Sequence, residues 1–255
     1  MSVPVPFDSQ TVRLMVAASA VTVGALVGSA LPFWVSLTQR RVLLILGFAA
    51  GVMFGAAILH MLPEAVQGGG YRVFPYALLG FLAILLMERF VPDHHAQDGH
   101  GHGPDEQPEA LGLTTFLALS FHTLTDGLAL GVAIQEGARG VGVLVALVCH
   151  QVPAAVSLTT ILLAEGYSRA RVVVMTATFA AMVPVGGLLY LFLRGVVDVH
   201  QLAPRALAFS AGTFLHVALA DLLPQVHRKP EVRRSASVAL LAGLAVMWAL
   251  RAGGA

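Results

Sequence analysis

The sequence predicts an all-α polytopic membrane protein with eight transmembrane helices. Hydrophobic residues make up 57% of the chain and charged residues only 11%, whereas ordinary globular domains contain about 45–50% and about 25%. The apolar residues also fall into long runs, and a helix needs roughly 20 of them to cross the hydrocarbon core of a bilayer. A third observation, an internal repeat, indicates how these helices are arranged.

The predicted spans are joined mostly by short connections, so we expect one membrane domain over residues 1–255 and no separate soluble domain. The lipid bilayer is therefore a predicted partner. A net charge of +1 gives no argument for a nucleic-acid partner. The eight spans cover residues 12–36, 42–66, 73–91, 111–135, 140–163, 170–193, 204–226 and 236–252.

The distribution of Lys and Arg predicts the orientation, because cytoplasmic loops of membrane proteins are enriched in them. The connections that follow spans 1, 3, 5 and 7 hold nine of these residues, and the opposite side holds six. This difference predicts that both termini lie outside the cytoplasm. The run at residues 228–234 contributes most to it.

Spans 2 and 7 share a pattern that indicates an internal repeat. Each reads Phe, two small residues and Gly, at residues 48–51 and 209–212, and the proline of a Leu-Pro pair follows twelve residues after the Gly. Since the two spans cross in opposite directions, the repeat is expected to be inverted, in a 3+2+3 arrangement, as in many secondary transporters. In this register His60 corresponds to Asp221, and we expect them at opposite ends of a path.

The central pair of spans contains ionisable residues. In span 4, His122 precedes Asp126 by four residues, which places both on one helix face. His122 and His150, in span 5, are both expected about 15 Å deep, near the midplane, at a rise of about 1.5 Å per residue. An ionisable side chain at that depth is costly and indicates a functional site. Because imidazole and carboxylate bind divalent transition metals, these three residues are predicted ligands.

Other interpretations of the polar residues stay open. A buried His is often only hydrogen-bonded, and Asp126 can instead carry a proton or join two helices. Met53 is a weaker candidate ligand, with filling of the core as the alternative. The residues that are candidates either for a transport pathway or for structural roles at helix ends are His60, Glu64, Gln151, His216 and Asp221.

The two central motifs resemble those of the ZIP (Zrt/Irt-like) divalent metal transporters. FHTLTDGLALGVAI, at residues 121–134, is similar to their fourth helix, which reads His-Asn-x-x-Asp/Glu-Gly, and CHQVPAAVSLTTILLAEG, at 149–166, is similar to their fifth, His-Glu-x-Pro-x-Glu. The stretches LHMLPEA and FSAGTFLHVALADLLPQ extend the resemblance over nearly the whole chain. It implies a ZIP-like fold and transport of a divalent transition metal, with zinc favoured, and neither an enzymatic activity nor a cofactor.

Departures from the family pattern change the predicted site. The family's second metal position resembles Thr123 and Gln151 here, where the family has Asn and a carboxylate, and its bridging carboxylate resembles Ala154. One complete metal position therefore remains, which implies a mononuclear site of two imidazoles and one carboxylate, completed by water or Met53. Such a site suits Zn, Fe, Co, Ni or Cu(II) better than Mg or Ca.

The connection at residues 92–109 interleaves His with Asp, Glu and Gly. This composition predicts disorder and a weak metal sink outside the bilayer, with a plain solvated linker as the alternative. The candidate loop ligands are His94, His95, His100 and His102.

Two functions other than transport stay open. An intramembrane metal-dependent hydrolase would need a metal with an open position for water, but no convincing nucleophile or separate general base lies at the same depth. A non-transporting ZIP-like sensor is the second alternative, because Ala154 replaces a ligand. By family analogy we expect the protein in a bacterial inner (plasma) membrane. Whether it forms a homodimer stays open.

Overall fold

The computed structural model describes residues 9–35, 38–90, 110–135, 139–227 and 230–253, and its regular structure within these ranges is helical. Two short 3-10 turns, Leu31–Phe33 and Gly70–Val73, and two π-helical segments, Ala56–Met61 and Val217–Leu222, interrupt or extend the helices. The α-helices are α1 (Ser9–Ala30), α2 (Gln39–Gly55), α3 (Leu62–Gly69), α4 (Phe74–Phe90), α5 (Ala110–Gln135), α6 (Arg139–Ala164), α7 (Arg169–Leu193), α8 (Val199–His216), α9 (Leu223–His227) and α10 (Pro230–Ala252).

In the described chain, seven helical segments are long and apolar enough to cross a membrane. They confirm the prediction of an all-α polytopic membrane protein. The count differs from eight because predicted spans 2 and 3 fall in one helical stretch, Gln39–Arg89, of 51 residues. At about 1.5 Å per residue such a stretch is about 75 Å long, more than twice the thickness of the hydrocarbon core.

This long stretch reverses its direction near Gly70, whose φ of 64° lies in the left-handed region that favours glycine. Before the reversal, α2 contacts the π-helical segment that follows α8, and α3 ends beside Pro204 near the start of α8. After the reversal, α4 runs along α8 in the same direction, and its last turn places Glu88 beside His216. The path from α2 to α3 is therefore antiparallel to α8, and α4 is parallel to it.

The π-helical segments occur at matching positions of the predicted repeat. Each directly precedes a Leu-Pro pair, at residues 62–63 and 223–224. Proline has no N–H, and its ring clashes with the carbonyl group four residues earlier. This explains why the helix adopts a wider turn just before each proline. His60 and Asp221 occupy the same place in the two segments, as the register predicts.

The same close contact between helices occurs twice, and each time it joins a helix of one repeat to a helix of the other. Glycines let the backbone of one helix approach the carbonyl oxygens of its neighbour, in the α2–α10 pair and in the α4–α8 pair. These contacts are Gly51 with Leu240, Gly243 with Phe48, Gly212 with Ala77, and Gly80 with Phe209. Phe48 and Gly51 match Phe209 and Gly212 in the predicted register. Since the two repeats run in opposite directions, the packing confirms the inverted repeat.

We expect Gly51→Ala to destabilise the protein, because an added Cβ would collide with the backbone carbonyl of Leu240. Overpacking of this kind costs about 1–3 kcal/mol. Gly187→Ala is the matched control, since its Cβ would lie 3.5 Å from the Leu14 side chain, an ordinary contact. Thermal unfolding in detergent measures both variants. Equal stability of the two would contradict the close packing of α2 on α10.

Candidate metal site

The two central motifs meet where α5 and α6 pack against each other. The helices are antiparallel, since the Gly112 N–H at the start of α5 donates to Glu165 Oε2 just after the end of α6. His122 Nε2 lies 3.0 Å from Asp126 Oδ2, and His150 Nε2 lies 3.2 Å from the same oxygen. The three ligand atoms all lie within 4.8 Å of one another. The structure thus brings together the three residues that the sequence predicts as ligands.

The cluster is almost completely enclosed. His122 is fully buried and Asp126 is 3% exposed, whereas the His150 side chain is 13% exposed. A buried carboxylate is costly unless a positive or hydrogen-bonding partner faces it. His150 therefore forms the most accessible edge of a site that favours a cation.

Two residues of α8 hold the His122 ring. Ser210 Oγ lies 2.8 Å from Nδ1, and the Phe214 ring centroid lies 3.9 Å from that of His122. On the other side of the imidazole, Nε2 lies 3.0 Å from Asp126 Oδ2, but the contact does not have the geometry of a satisfied hydrogen bond. A buried polar atom without a hydrogen bond is costly. A metal ion beside Asp126 would satisfy this nitrogen.

The spacing of the three atoms suits a single ion. Zinc binds nitrogen and oxygen at about 2.0–2.2 Å, so two ligands of a tetrahedral site lie roughly 3.4 Å apart. The distances of 3.0 and 3.2 Å from Asp126 Oδ2 to the two imidazoles are close to that value. Three such ligands leave a fourth position for water, as in zinc sites that exchange their ligands.

The adjacent positions carry a neutral hydrogen bond instead of further ligands. Gln151 donates from Nε2 to Thr123 Oγ1 at 3.0 Å, and both side chains are fully buried. Ala154 is also buried and offers only a methyl group. These residues place no negative charge beside the cluster, which weighs against a second cation.

A second cluster lies between α4 and the end of α8. His216 Nε2 lies 3.0 Å from Glu88 Oε2 and 3.8 Å from Asp221 Oδ1, and the Phe81 ring packs edge-on against the imidazole. His216 and Asp221 are among the predicted pathway candidates, but sequence reasoning missed Glu88. A carboxylate within the apolar end of span 3 was the signal that could have revealed it.

The other repeat carries a different charge at the position that corresponds to Glu88. His60 Nε2 lies 2.9 Å from the Met247 carbonyl oxygen, to which an N–H there would donate. The register that equates Gly80 with Gly243 also equates Glu88 with Arg251. An acidic group at one end of the repeat thus corresponds to a basic group at the other.

The remaining predicted residues are not members of either cluster as far as the structure describes them. Among the described residues, His60 and Glu64 belong to neither group of candidate metal ligands. Met53 is buried in the hydrophobic core, and its role as a ligand stays a prediction. The loop residues His94, His95, His100 and His102 fall outside the described residues, so the predicted disorder and metal sink are untested.

The helices and the first cluster define an integral membrane protein with candidate metal ligands buried between its spans. The family model described as ZIP zinc transporter matches residues 11–111 and 92–251, two segments that together cover almost the whole chain. The protein therefore belongs to the ZIP family, which confirms the resemblance seen in the central motifs.

Named relatives match over most of their length. Zinc transporter ZIP9 of Xenopus tropicalis is 28% identical over 84% of this chain and 86% of the relative. Zinc transporter ZIP9-B of Xenopus laevis is 29% identical over 81% of this chain and 82% of the relative. Zinc transporter ZIP1 of Homo sapiens is 28% identical over 83% of this chain and 78% of the relative. These eukaryotic relatives give no support to the predicted bacterial membrane, and the orientation of the termini stays a prediction.

Proposed function

We propose that the protein transports divalent transition-metal ions, with zinc as the favoured cargo, through a single site formed by His122, Asp126 and His150. The observation that carries this proposal is the convergence of their ligand atoms within 4.8 Å between two adjacent helices. Membership of the ZIP family supports transport rather than catalysis. The relatives named as zinc transporters support the choice of zinc.

The ligand set is suited to binding that can be reversed. Asp126 supplies the negative charge, and the two imidazoles bind only when their ligating nitrogens carry no proton. The low-dielectric surroundings strengthen the attraction between the carboxylate and a cation. Three protein ligands hold the ion less completely than the four of a closed structural zinc site, and this favours release. Glu88, His216 and Asp221 form a candidate second station on the pathway.

Sealed proteoliposomes that contain a zinc-sensitive dye test the proposal. We expect saturable zinc entry with the wild-type protein and none above leak in protein-free vesicles. His150→Ala should lose this flux because it removes one of three ligands, whereas His200→Ala, which changes an exposed histidine of α8, should retain it. Zinc binding without flux in the wild type would instead support the non-transporting sensor.

A further inference from the structure

We propose that Ser210 is a positioning residue of this metal site: its hydroxyl oxygen accepts the Nδ1 proton of His122 and so leaves the Nε2 lone pair for the ion. The inference rests on the proposed function and deepens it. It assigns a role to α8, a helix that supplies none of the three ligands.

The contact between α8 and α5 is well defined. Ser210 Oγ and His122 Nδ1 lie 2.8 Å apart, both residues are fully buried, and they are 88 positions apart in the chain. The Phe214 ring covers the imidazole, and Phe209 packs edge-on against Phe121 at a centroid distance of 4.9 Å. The two aromatic contacts therefore hold α8 against α5 beside the hydrogen bond, and Phe214 packs directly on the imidazole.

The chemistry of imidazole gives this hydrogen bond its role. A neutral imidazole has one N–H and one lone pair, so a histidine that binds metal through Nε2 carries its proton on Nδ1. A buried N–H without an acceptor is costly, and Ser210 Oγ is within hydrogen-bonding distance of this one. Metal-binding histidines almost always donate their second N–H to such a partner.

A hydroxyl partner also suits a cargo that must leave the site. A carboxylate in this position would make the imidazole a stronger ligand and add negative charge beside the ion. Serine is neutral, so it orients the ring without adding charge. The site thereby gains a fixed geometry while its only carboxylate remains Asp126.

Ser210→Ala tests the inference through zinc affinity, measured by competition with a chromophoric chelator. We expect zinc to bind roughly 10–100-fold more weakly, the range typical for loss of such a partner. The half-saturating zinc concentration for uptake should rise, while the maximal rate changes little. Thr159→Val is the matched control, because it removes a buried hydroxyl that donates to the Ala155 carbonyl of its own helix.

A spectroscopic measurement separates positioning from a general loss of stability. In zinc-loaded protein labelled with ¹⁵N-histidine, the His122 Nδ1–H should exchange slowly with solvent in the wild type and faster in Ser210→Ala. Unchanged affinity and exchange in Ser210→Ala, or an equal loss of affinity in Thr159→Val, would overturn the role of Ser210. A wild-type protein that binds no zinc would instead overturn the proposed function.

Discussion

Asp126→Ala should abolish saturable zinc uptake and leave the protein folded in detergent. Asp126 supplies the only negative charge among the three proposed ligands, and its Oδ2 lies near both imidazoles. Truncation of one partner of a buried charge pair costs about 2–5 kcal/mol of binding free energy, which corresponds to a loss of roughly 30-fold to several thousand-fold in affinity. His122→Ala should have a similar effect, because it removes the more deeply buried of the two imidazoles at this site.

The control for this experiment is Asp198→Ala, which removes an exposed carboxylate just before α8. It should keep wild-type uptake, so that loss of charge in general is separated from loss of the site. Circular dichroism and gel filtration in detergent establish that each variant is folded. Normal uptake by folded Asp126→Ala and His122→Ala proteins would refute the assignment of the site.

The combination of Gln151→Glu and Ala154→Glu should create a second zinc-binding event that the wild type lacks. Two divalent cations about 4 Å apart repel each other by about 17 kcal/mol at an effective dielectric constant of about 20. One carboxylate is too little to offset this repulsion. In the wild type, Gln151 and Thr123 share a neutral hydrogen bond beside the site, so two added carboxylates supply the missing charge.

Isothermal titration calorimetry with zinc, on protein that lacks residues 94–103, measures the number of binding events at this centre. Ala154→Gln is the matched control, since its side chain has nearly the size of glutamate but no charge, and we expect it to bind one ion as the wild type does. Two binding events at this centre in the wild type would show that a neutral second position does not prevent binding of a second zinc ion.

The three candidate ligands could be predicted because helix geometry gives both their shared face and their shared depth. The spacing of four residues sets His122 and Asp126 on one face of a helix. His150 was expected at the same depth from its distance to the end of its span. The inverted repeat was also readable, because Gly51 and Gly212 stand in the same pattern before a proline.

Other parts of the two clusters depend on contacts between residues far apart in the sequence, which local sequence patterns do not reveal. Ser210 reaches His122 across 88 positions, and Glu88 reaches His216 across 128. Helix ends were also uncertain: α8 begins at Val199 and α10 at Pro230, rather than at residues 204 and 236. Hydropathy marks the apolar part of a helix, and polar first turns continue the same helix beyond it.

The location of bound zinc tests the mononuclear transport site most directly. Crystals of zinc-loaded protein that lacks residues 94–103, so that the loop histidines cannot contribute, would show the ions by anomalous scattering. The proposed site predicts one ion between α5 and α6, contacted by His122, Asp126 and His150. Two ordered ions at this place, or a single ion bound without His150, would contradict it.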